Sequence, residues 1–181
     1  ARAIAQVPTD STPALATTQG SAAATVALKA GDKAPLLVVE KFLKGEPVTA
    51  FAPGHVYVLE FWATWCGPGI AAMPHLSKLQ AEYRSKNVTF VGINVWEDPN
   101  YDDKTEAKVV AFMEKRGKAM EYAVAYDGPG KAADTAWMQA AGRKGIPTTF
   151  IVDGSGVIAW IGHPSALGYV LEEVTSGRWD I

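Results

Sequence analysis

The stretch Val56-Tyr57-Val58-Leu59-Glu60-Phe61-Trp62-Ala63-Thr64-Trp65-Cys66-Gly67-Pro68-Gly69 joins two kinds of pattern. Its first half is an apolar run broken only by Glu60, the signature of a strand covered on both faces. From Ile70 the apolar spacing changes to Met73, Leu76, Leu79 and Tyr83, which is helical. The one cysteine of the chain lies at the changeover. A thiol at a helix N-terminus faces unpaired backbone N–H groups and the positive end of the helix dipole, and both favour the thiolate. Pro68 suits the first helical turn, where no N–H partner is needed. The plain alternative is that Cys66 is a small buried hydrophobe, the usual state of a free cysteine.

Working outward, Val88 to Trp96 reads as a second buried strand. Asp103 with Glu106 reads as the cap of a helix carrying Val109, Phe112 and Met113, which Gly117 ends. Tyr122 to Tyr126 is strand-like, and Ala132 to Ala141 is a helix anchored by Trp137 and closed by Gly142. Thr148–Val152 and Val157–Ile161 flank the turn Asp153-Gly154-Ser155-Gly156, a hairpin. Ser165 is the expected cap of a last helix with Leu167, Val170, Leu171 and Val174 on one face. Upstream, Leu36–Val39 and Phe42-Leu43, with the turn Gly45-Glu46-Pro47, predict an N-terminal β-hairpin. Alternating strands and helices require a parallel sheet with helices on its faces, and the late strand pair adds an antiparallel edge. The fold class is α/β, a three-layer sandwich on a mixed central sheet.

The chain has 181 residues, 48% apolar and 20% charged, with a formal net charge of −2. That excludes a mostly disordered chain and leaves no basic field for nucleic acid or an anionic membrane. No apolar run reaches the roughly 18 to 20 residues that span a bilayer. One cysteine excludes an internal disulfide framework, a cysteine-rich zinc site and an iron–sulfur cluster. Residues 1–30 hold ten Ala, five Thr and no aromatic residue, so a flexible tail is expected there, with the domain proper over 31–181. The start at Ala1, with Ala3-Ile4-Ala5 close behind, suits a processed export signal and a periplasmic or cell-envelope location. A start chosen for expression would look the same.

Several separate positions carry a resemblance. Glu60-Phe61-Trp62-Ala63-Thr64-Trp65-Cys66-Gly67-Pro68 resembles the active-site segment of TlpA-like thiol–disulfide oxidoreductases of the thioredoxin superfamily, within the wider redoxin (AhpC/TSA) group. Pro74 falls where that family kinks its first helix. Gly145-Ile146-Pro147-Thr148 resembles the loop whose proline is cis and lies against the active-site cysteine. Gly31-Asp32-Lys33-Ala34-Pro35 resembles the family's opening, and residues 103–126 its central helix–strand insertion. The resemblance implies a thioredoxin-like fold without cofactor or metal. Cys66 is then the nucleophile, and Glu60 a proton acceptor beneath it. Trp65, Ile146 and Pro147 bind substrate, Ile146 by strand-like pairing. Protein disulfides or thiols are the implied partners through a transient mixed disulfide.

The family's second cysteine falls at Gly69. Without it, the attack of Cys66 on a disulfide is retained, whereas resolution needs an outside thiol. Three readings stand: an introduced substitution, a natural monothiol variant served by glutathione or a similar small thiol, or a redox-silent module that keeps the groove for polypeptides. A one-cysteine peroxidase ranks last. The pattern Pro-x-x-x-Thr-x-x-Cys would need Pro and Thr where Leu59 and Ala63 stand.

Among the remaining candidates the functional reading leads for Glu60 alone, and the plain one for the others. Glu60 either has a raised pKa in its apolar strand or reaches water at an edge. Trp62 is expected in the core and Trp65 exposed, with Trp96, Trp137 and Trp160 packing. His55, His75 and His163 lack metal-ligand spacing. Glu97-Asp98 and Asp102-Asp103 read as a solvated acidic run, and Arg143-Lys144 as a solvated pair.

Overall fold

A computed structural model describes residues 27–181. Its six strands are β1 (Lys41–Lys44), β2 (Val56–Trp62), β3 (Val88–Asn94), β4 (Ala123–Tyr126), β5 (Thr148–Val152) and β6 (Ile158–Gly162). They form one sheet in the order β1-β4-β3-β2-β5-β6. Strands β2, β3 and β4 run parallel, while β5 pairs antiparallel with β2, β6 with β5, and β1 with β4. The register between β2 and β3 runs from Val56↔Val88 to Trp62↔Asn94. Their carboxyl ends are therefore level, which sets the chain after Trp62 beside the chain after Asn94.

Every residue of β2 is buried, as a strand covered on both faces requires. On one face, Val56, Val58 and Trp62 pack with α1 (Gly67–Tyr83), α2 (Asp103–Arg116) and α3 (Leu167–Thr175) through Met73, Leu76, Val109, Leu167 and Leu171. On the other, Tyr57, Leu59 and Phe61 pack with Trp137, Met138 and Phe150. Trp137 meets the edges of Phe51 and Phe150 at ring separations of 5.9 and 5.3 Å. This is the α/β/α sandwich, with α2 and β4 as the central insertion.

The N-terminal hairpin does not form. Leu36–Val39 is not a strand, and Leu36 and Val38 are exposed. β1 instead takes its backbone partners from β4, Lys41↔Tyr126 to Lys44↔Val124. Gly45 (φ +77°) then turns the chain so closely over Ala123 that a Cβ would lie 2.8 Å from the alanine's. Ahead of Gly31, the Leu28 N–H donates to Ala140 O at 2.8 Å. The rest of the expected tail, residues 1–26, lies outside the described residues.

The helix expected over 132–141 is a π-helical turn, Asp134–Gln139, with Ala140 N–H donating to Thr135 O and Arg143 N–H to Met138 O, five residues back. Asp127 starts it by accepting the N–H groups of Ala133 and Asp134 at 2.7 and 2.9 Å. The cap of α2 is Asp102 rather than Asp103: Asp102 accepts from Lys104 N–H, and Thr105 Oγ1 accepts from Asp102 N–H. The last helical segment is capped by His163, whose Nδ1 accepts from Ser165 N–H, so Ser165 sits inside the first turn. Among the described residues no helix is long and apolar enough to cross a membrane.

Candidate active site

Cys66 is the N-cap of α1, in extended backbone, and its carbonyl accepts the Ile70 N–H at 2.9 Å. It occupies the cap position but makes no side-chain cap bond. The thiol points instead across to the β5 side, donating from Sγ to Ile146 O at 3.3 Å. The Ile146–Pro147 peptide bond is cis. Thr148 Oγ1 donates back to Gly145 O at 2.8 Å and closes the proline loop on itself. The helix N-terminus and this loop therefore face each other across the sulfur.

Gly69 borders the same space. A Cβ built there would lie 3.4 Å from Cys66 Sγ, 3.7 Å from Cys66 Cβ and 3.7 Å from Pro147 Cβ, all ordinary van der Waals separations. Gly67 is open to solvent on that test, and Pro68 fills the first turn. Cys66 is 4% exposed, whereas Trp65 beside it is 57% exposed. The structure thus brings Cys66, Gly69, Ile146 and Pro147 together, with Trp65 at the rim.

Glu60 is placed differently. It lies midway along β2, opposite Thr149 of β5, and its Oε2 accepts a hydrogen bond from Thr149 Oγ1. Among the described residues its Oε1 has no partner, and the residue is buried. Burial disfavours the charged form and raises its pKa from 4.5 to about 8, against the lowering effect of the Thr149 hydroxyl. Trp62 Nε1 and Tyr122 Oη lie on the same face, also without partners among the described residues, and both side chains close over Gly92, the register partner of Glu60. Glu60 is not hydrogen-bonded to Cys66.

Of the other candidates, His55 bonds Thr89 Oγ1, and Arg143 donates to Ile161 O at 3.2 Å. Lys144 is exposed. The acidic run divides: Asp98 and Asp103 are exposed, but Glu97 is buried and is no solvated loop residue. It accepts four donors: Thr64 N–H (2.6 Å), Thr64 Oγ1 (2.6 Å), Asn94 Nδ2 (2.7 Å) and the Lys108 ammonium (3.2 Å). Composition hid this residue, since Glu next to Asp reads as surface. The available signal was topological: Glu97 follows the carboxyl end of the strand that neighbours β2.

The fold and the site together define a thioredoxin-fold protein with one thiol at the start of its first helix. The sequence matches the Redoxin family over residues 29–168. The chain belongs to the Redoxin family. It is 33% identical over 152 residues to protein FixW of Rhizobium leguminosarum, covering 84% of this chain and 68% of that one. It is 32% identical over 105 residues to the thiol-disulfide oxidoreductase ResA of Oceanobacillus iheyensis, covering 58% of this chain but spanning only 47% of that protein's length. Among solved structures, a thiol:disulfide interchange protein of the thioredoxin family from Chlorobium tepidum superposes with a TM-score of 0.62 at 26% identity, over 79% of this chain and 95% of that one.

Proposed function

We propose that the chain carries out thiol–disulfide exchange on protein substrates through Cys66 as a monothiol. The observation that supports this best is the placement of Sγ, at the N-terminus of α1 and against the Ile146–Pro147 loop. In the first step the Cys66 thiolate attacks one sulfur of a disulfide. A new S–S bond forms to Cys66, the old S–S bond breaks, and the released thiolate takes up a proton. Trp65 and the backbone of Ile146, next to the cis proline, hold the extended segment that carries the disulfide. With Gly69 in place of a second thiol, an outside thiolate such as glutathione attacks the substrate sulfur of the mixed disulfide. The S–S bond to Cys66 breaks, a glutathione–substrate S–S bond forms, and the released Cys66 thiolate takes up a proton. A second glutathione then frees the substrate thiol and leaves as glutathione disulfide. Glu60 acts as the buried proton acceptor and donor for that exchange. Export suits the same reading, since disulfide substrates persist in the cell envelope.

The 4% exposure of Cys66 favours a second reading, a redox-silent module that binds polypeptides in the same groove. Turnover decides between them. The folded chain, given a fluorogenic peptide disulfide and reduced glutathione, is expected to accelerate reduction above the glutathione background. Cys66→Ser is expected to return the rate to that background. No acceleration by the folded chain would favour the module.

A further inference from the structure

The four donors on Glu97 are a strong arrangement for one buried carboxylate. A buried charge persists only when it is paired and hydrogen-bonded, and here two of the donors come from Thr64, two residues before Cys66. A second observation, independent of the carboxylate, meets it from the other side. Trp96 holds a left-handed backbone, φ +57°, which is costly for a bulky side chain and is kept only where its surroundings over-determine it. In that conformation the Trp96 carbonyl accepts the Trp65 indole N–H at 2.7 Å. The exposed Trp65 ring thus has its polar handle tied to the same turn that supplies Glu97.

We propose that Glu97 is a positioning residue: it clamps the Thr64–Trp65 turn so that the Trp65 indole stands as a fixed wall beside Cys66. The contact reaches further through Lys108 of α2, which ties the central insertion to the cysteine loop. A fixed aromatic wall selects substrates by pre-organisation, since a mobile ring must be ordered at each encounter. Its effect therefore falls on large substrates and spares small ones.

The test uses Glu97→Gln, and Thr64→Val as a second variant that removes one clamping donor while keeping the backbone bond. The first readout is solvent exchange of the Trp65 indole proton, assigned in ¹⁵N spectra by loss of its signal in Trp65→Phe. The exchange rate is expected to rise about tenfold in Glu97→Gln. This readout does not depend on redox chemistry. The second rests on the thiol–disulfide reading: the rate of Cys66 with a peptide disulfide is expected to fall about tenfold, and with iodoacetamide less than twofold. Indole exchange unchanged in whichever variant folds overturns the proposal. Equal losses toward both reagents also overturn it, because the thiol itself has then changed. If wild-type Cys66 reacts with neither reagent, the exchange reading fails, and indole exchange alone judges the clamp.

Discussion

Gly69→Cys is expected to form an intramolecular disulfide with Cys66 and to switch on reduction of protein disulfides by a dithiol route. The separation of 3.7 Å between the Cys66 Cβ and a Cβ built at residue 69 falls within the about 3.5 to 4.5 Å that disulfides require. The nearest other atom is Pro147 Cβ at 3.7 Å, so the new side chain meets no clash. Resolution would become intramolecular. Against an outside thiol at millimolar concentration, insulin reduction is expected to rise at least about a hundredfold, a small part of what intramolecular positioning can supply. Thiol titration after mild oxidation checks the bond directly: no free thiol is expected in the folded variant. Two persistent free thiols would contradict the site geometry.

The second large effect concerns Glu60 and is read from stability. Its folded-state pKa of about 8 lies above the ordinary 4.5, so the native chain holds a proton that the unfolded chain releases. The sign follows from linkage. Below pH 4.5 both states are protonated and the acid costs nothing. Between 4.5 and 8 the unfolded state ionises first, and stability falls as pH rises. Above 8 both are ionised and the loss is complete. At about 1.4 kcal/mol per pH unit, the total is on the order of 5 kcal/mol. Glu60→Gln keeps a neutral side chain of the same shape beside Thr149 at every pH and removes that loss. Wild type and variant are expected to melt close together at pH 4.5. At pH 9 the variant is expected to melt roughly 10 to 20 °C higher, at about 2 to 4 °C per kcal/mol for a chain of this size. Parallel Tm profiles across this range would mean that Glu60 is not a buried neutral acid.

Much of this site was legible in the sequence because its determinants are local. A single acid in a seven-residue buried strand and a cysteine where period two gives way to period 3.6 both fall within fourteen consecutive residues. What was not legible depends on partners distant in the chain. Phe42 and Leu43 suggest a hairpin with their neighbours, but their ladder lies on β4, some eighty residues on, and nothing local announces it. Trp137 was a sound core residue, but ten residues cannot separate an α-helical from a π-helical repeat. Glu97 reads as solvated beside Asp98, but the register Trp62↔Asn94 sets it against Thr64. Asp102 and Asp103 differ by one position, and only the reciprocal bond from Thr105 chooses between them.

Under the proposed function the fold makes Cys66 a working nucleophile toward disulfides. Intact-mass kinetics with an excess of an oxidised peptide at neutral pH test it most directly, comparing the folded chain with the same chain in denaturant. The folded chain is expected to gain one peptide half through Cys66, at least about tenfold faster than the unfolded chain. A folded chain that gains nothing, while the unfolded chain is modified, would contradict it and leave a groove without redox chemistry.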